Sequence, residues 1–111
     1  MPQRHHQSDL DGADVEERVS VRNQDTLTWF RHNQAFTIIS IQKEGSPVKG
    51  APDNPFFREP PIPSDFEDGA RGRHVVNSGP AKREAIGQHY RAVFQALASA
   101  QAGDPHFVVD P

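Results

Sequence analysis

Six histidines are the first side chains to weigh, because imidazole binds metals and transfers protons near neutral pH. They stand at His5, His6, His32, His74, His89 and His106, and none falls into an H-x-H, H-x-x-x-H or HExxH spacing. The neighbours His5 and His6 can scavenge a divalent ion loosely, whereas a fixed site needs three or four convergent ligands. His32, His74, His89 and His106 fall at the ends of expected strands, so a sandwich could gather three of them at one end. The plainer reading is separate surface or turn histidines, and no metal is expected.

Carboxylates come next. Asp65, Glu67 and Asp68 surround Phe66, but paired carboxylates do acid–base work only where burial or mutual repulsion separates their pKa values. On a Pro- and Gly-rich stretch they are expected to be solvated. An enzyme would need Asp65, Glu67 and His74 together in a cleft. Ser40, Ser46, Ser64, Ser78 and Ser99 lack the G-x-S-x-G frame of a nucleophile elbow. Gly69-Ala70-Arg71-Gly72-Arg73 is too short and basic for a nucleotide loop, and with acids just upstream it reads as a solvated turn. With no cysteine, thiolate catalysis, disulfides and cysteine-ligated metals are excluded. The expectation is a chain with no catalytic residue and no cofactor.

What remains is contact chemistry. Seven prolines occur between Gly45 and Pro80, and they bar a long helix or a central strand from residues 47–63. Phe56, Phe57, Ile62 and Phe66 should pin this excursion to the body. Three phenyl rings within eleven residues exceed what a small core is expected to cover, and exposed aromatic groups mark interfaces. Phe56, Phe57 and Phe66 are therefore the candidate partner-binding residues. Pro60-Pro61-Ile62-Pro63 could offer a polyproline ridge, although loop stiffening explains it as well.

These residues must be positioned by a modest frame. The chain has 111 residues, 34% of them apolar, and a formal net charge of −3. The deficit is local: residues 1–25 hold three arginines against six acids, and the remainder is balanced. Such a balance argues against nucleic acid or an anionic membrane as partner. No apolar run approaches the length that spans a bilayer, and no apolar stretch follows Arg4, so a soluble cytoplasmic protein without a signal peptide is expected.

Residues 1–14 are polar and are expected to form a mobile tail, leaving one domain over residues 15–111 with a Pro-rich excursion at 46–80. Alternation in Glu17–Arg22 and in Thr26–Phe30, with Asn23-Gln24-Asp25 between, predicts a hairpin. After a polar break at Arg31–Gln34, Ala35–Ile41 predicts a buried strand, and His74–Asn77 a short one stopped by Ser78-Gly79-Pro80. His106–Val109 predicts a closing strand. Residues 81–102 are ambiguous. Ile86, Tyr90, Val93 and Leu97 recur at helical spacing, whereas Tyr90, Ala92, Phe94 and Ala96 share one face of an extended chain.

Val19-Ser20-Val21, then Asp25-Thr26-Leu27-Thr28-Trp29, then a polar turn and Phe36-Thr37-Ile38, resemble the opening of a cupredoxin-like domain with its "GDTVTW"-type strand. Asn77-Ser78-Gly79-Pro80 and Gly87–Phe94 are similar to the turn and glycine-initiated strand near the end of such domains, and Asp104–Val109 to the closing strand. The resemblance covers about half the chain. It implies an all-β, Greek-key β-sandwich with residues 88–96 as a strand, against the alternative of an α+β domain whose antiparallel sheet is packed by one C-terminal helix. The family's first copper ligand falls at Phe36 here, and its cysteine and later methionine are missing, Met1 being the only methionine. A blue-copper site needs a thiolate and two imidazoles, so it cannot be built.

The reading that follows is a non-catalytic, metal-free binding or assembly module. Its contact surface would be the Asp53–Phe66 excursion and its partner a protein, a second copy of the chain included. The alternatives are a histidine-based copper or zinc protein and a structural component of a larger bacterial or viral assembly.

Overall fold

A computed structural model describes residues 3–10, 19–32, 34–67, 72–96, 102–103 and 105–111. Asp68, Arg71, Leu97 and Ser99 lie outside them. Two mixed sheets pack face to face as a sandwich, and the described residues contain no α-helix.

The first sheet joins β1 (His5–Asp9), β3 (Thr26–Arg31), β7 (Arg73–Pro80) and β6 (Asp65–Glu67), in that order. The second joins β2 (Val19–Arg22), β10 (His106–Asp110), β8 (His89–Ala96), β4 (Phe36–Glu44) and β5 (Ile62–Pro63), with the short β9 (Ala102–Gly103) also on β8. Each sheet has one parallel pair, β1 with β3 and β2 with β10, and the other pairs are antiparallel.

Period-two burial explains why β8 is a strand. Tyr90, Ala92, Phe94 and Ala96 turn inward while His89, Arg91 and Val93 face out, half-buried. Among the described residues of 81–102, the helical spacing yields only a 3₁₀ turn at Arg83–Ala85. Gly87 ends it at φ 90°, a left-handed conformation that glycine adopts without strain. Its amide then donates to Val109 O and starts the ladder. Between the sheets lie Trp29, Phe56, Tyr90 and Phe107. Phe107 stacks on both Phe56 and Tyr90 with centroids 5.4 Å apart, and Trp29 meets Phe56 edge-on at 5.9 Å.

Several expectations need correction. The segment expected as a tail contains β1, whose backbone pairs with β3, and Leu10 closes it as a core residue, its amide donating to Phe30 O. Backbone pairing and one apolar plug suffice to order a stretch that hydrophobicity alone would leave loose. The expected hairpin is not one. The turn at 23–25 carries the chain from β2 in the second sheet to β3 in the first. Arg31 belongs to β3 rather than to a polar break, and it is buried with its guanidinium 5.6 Å from the centre of the Phe94 ring. β7 continues beyond Asn77 through Pro80, where proline is tolerated at a strand end. Within 47–63 only Ile62–Pro63 is a strand, and it lies at a sheet edge. No helix among the described residues is long and apolar enough to cross a membrane.

Candidate binding surface

The three excursion phenylalanines have different fates. Phe56 is 1% exposed and stacks in the core, so it anchors the loop and is unavailable to a partner. Asn54 sets this up: its Oδ1 accepts the Phe56 amide, and Phe56 bridges to Ala81. Phe57 then points away and is 68% exposed, with Lys82 Nζ 5.2 Å from its ring centre. Phe66 is 60% exposed and rests against the His74 ring at 5.2 Å. Phe66 pairs with His74 near the start of β7, whereas Phe57 stands by Lys82, beyond its last residue. At about 3.3 Å per residue, the length of β7 separates them by roughly 20 Å. The excursion therefore offers two separate aromatic contacts, not one surface.

The end that carries Phe57 is the better built. Ala81 O accepts the Gln24 amide and Ala81 N donates to Asp25 O, so the Phe56–Phe57 loop and the β2–β3 turn share one frame. A cleft of about 670 Å³ opens there, lined by Gln3, Arg4, Arg22, Asn23, Gln24, Asp25 and Pro111. Gln24, at φ 73°, is the one non-glycine residue in the left-handed region among the described residues, and it turns the chain into β3. Asp25 holds the turn. Its Oδ1 accepts the Arg4 amide, and its Oδ2 accepts the Arg22 amide at 3.2 Å and meets His6 Nε2 at 2.9 Å. Burial pushes the Asp25 carboxyl up, but hydrogen bonds from His6 and the two amides, with the His6 charge, bring it below its ordinary value. Asn23 Oδ1 is buried in the same wall without a hydrogen-bond partner.

The histidines do not meet. His89 and His106 lie on the outer face of the second sheet, where His106 Nδ1 contacts the Glu44 carboxylate across β8. His32 packs edge-on against Phe30 at the end of β3, and His74 sits under Phe66. Among the described residues no three histidine, aspartate or glutamate side chains are grouped to hold a metal. Nor do Asp65, Glu67 and His74 form a site. His74 is in register with Phe66, so strand alternation turns it away from Asp65 and Glu67, and Glu67 binds Arg73 Nε at 2.9 Å. Phe36 is fully buried and edge-on to Phe94.

Sequence reasoning missed Arg4, Arg22 and Asp25, whose roles depend on β1 and β2 meeting one turn from different sheets. The Asn23-Gln24-Asp25 turn carried the signal, because an aspartate in a turn bonds nearby backbone amides through its side chain. No protein-family model matches the chain, and no curated protein matches it in sequence.

Proposed function

We propose that this chain is a metal-free, non-catalytic binding module on a cupredoxin-like sandwich, and that it docks a protein through the end bearing Phe57. The observation that carries the reading is a phenyl ring 68% exposed beside a neighbour that is 1% exposed. Burial of Phe56 fixes the loop, so Phe57 is presented on a rigid frame and loses little freedom on binding. A rigid aromatic group next to a cation is the chemistry of an interface anchor. The cupredoxin-like reading draws support from the strands β3, β4, β8 and β10, which lie at the residues that carried the resemblance. Phe36, which the resemblance aligns with the family's first copper ligand, is a buried apolar ring.

Site-specific photocrosslinking tests this directly. A photoreactive phenylalanine analogue at position 57 should capture a protein partner, or a second copy of the chain, while the same group at position 66 should not. Capture only from position 66 would overturn the proposal.

A further inference from the structure

The cleft at the β2–β3 turn, on the same end of the sandwich as Phe57, indicates the partner's chemistry. We propose that it receives an acidic peptide segment of that partner, with the peptide's carboxylates on Arg4 and Arg22. This rests on the reading of the Phe57 end as the binding surface.

Both arginines line the cleft, Arg4 from the approach to β1 and Arg22 from the end of β2. Among the described residues neither guanidinium pairs with a carboxylate. Asp25, the acidic side chain in the lining, is already bound to two backbone amides and the His6 ring. Both guanidinium groups are thus left facing solvent at the cleft. The planar guanidinium fork matches a carboxylate with two parallel hydrogen bonds. A cleft of about 670 Å³ falls within the range that holds a ligand of a few residues.

The test is a titration of the nitrogen-labelled full chain, followed by amide resonances at low ionic strength, with the blocked dipeptide acetyl-Glu-Glu-amide. Saturable shifts at the Gln24 and Asp25 amides are expected, with none from acetyl-Gln-Gln-amide. Arg4→Gln and Arg22→Gln should each weaken binding about tenfold at an unchanged melting temperature. The inference is overturned by absent shifts, by equal shifts from the glutamine dipeptide, or by variants that fold yet bind as tightly. Glutarate binding as tightly as the peptide would assign the cleft to free dicarboxylates and overturn it too. The comparison of dipeptides needs no variant, so it stands even where a substitution disturbs folding. Phe57→Ala separates the two proposals: dipeptide binding that survives in that variant, with no crosslink from position 57, upholds the cleft while removing the aromatic anchor.

Discussion

His6 Nε2 stands 2.9 Å from Asp25 Oδ2, so the polar edge strand β1 is tied by an imidazole to the turn that joins the two sheets. His5 repeats the link one residue earlier, with Nδ1 2.6 Å from Thr26 Oγ1. The turn itself is held by the amides of Arg4 and Arg22 on the same carboxylate, which draws both arginines to the mouth of the cleft.

Replacement of Asp25 by asparagine should therefore cost about 1.5–3 kcal/mol, because charge-assisted bonds are lost at a buried group. The pH dependence has a definite sign. The folded carboxyl titrates below its ordinary value, so its stabilisation is complete above that value and disappears as pH falls through the lowered one. Denaturant midpoints measured from neutral pH down into the acid range should drop more steeply for the unmodified chain than for Asp25→Asn. Parallel curves would contradict this role.

Tyr90, the chain's single tyrosine, offers a clean optical probe. Its hydroxyl donates to Pro52 O at 2.6 Å, and burial, with the Asp53 charge second, pushes it up to about 12. The raised value favours the folded state below the unfolded-state pKa near 10, and that stabilisation is lost as pH rises through the folded value. Phenolate absorbance should thus appear at about 12 in the folded chain and earlier in denaturant. Coincident titrations would show an exposed hydroxyl. Tyr90→Phe should lose about 1 kcal/mol by leaving the Pro52 carbonyl unmet.

Phe36 tests whether the corner opposite the cleft is a packed part of the core. Phe36→Ala should cost about 3–5 kcal/mol in chemical denaturation, as expected for emptying a buried phenyl site. Phe36→His should destabilise without creating a copper site, because no thiolate exists for a blue-copper set and the described histidines do not converge on one point. Tight copper binding by that variant would contradict the packing account.

Arg73 clamps the outer face of the first sheet. Its guanidinium lies 4.6 Å from the centre of the Phe30 ring, with Nε on Glu67 and Nη1 on Gln7. Arg73→Lys keeps the charge but loses the stacked planar fork, so a loss of about 1–2 kcal/mol is expected. A melting temperature unchanged by that substitution would show the stack to be passive.

The two-layer β architecture was legible because alternation survives in Val19–Arg22 and His89–Ala96 and the prolines punctuate the middle. Residues 81–102 were ambiguous because Tyr90 fits both periods, with Val93 on the helical one and Ala92 and Phe94 on the extended one; the glycine at 87 and the ladder to β4 and β10 decided it for the described residues up to 96. The β2–β3 pairing misled because alternation shows which residues face inward but not which sheet a strand joins. β1 was invisible because its order comes from backbone bonds to β3. Phe56 and Phe57 are chemically identical, so only the Asn54 turn and the Ala81 bridge sort one into the core and the other into solvent. The cleft depends on residues 3–4, 22–25 and 111 meeting, which no local pattern encodes.

The most direct measurement is the affinity of the partner captured from position 57 for the Phe57→Ala and Phe66→Ala chains. The account predicts at least about tenfold weaker binding for Phe57→Ala and no material change for Phe66→Ala, with both melting temperatures preserved. Undiminished affinity in the folded Phe57→Ala chain, or a loss confined to Phe66→Ala, would contradict it.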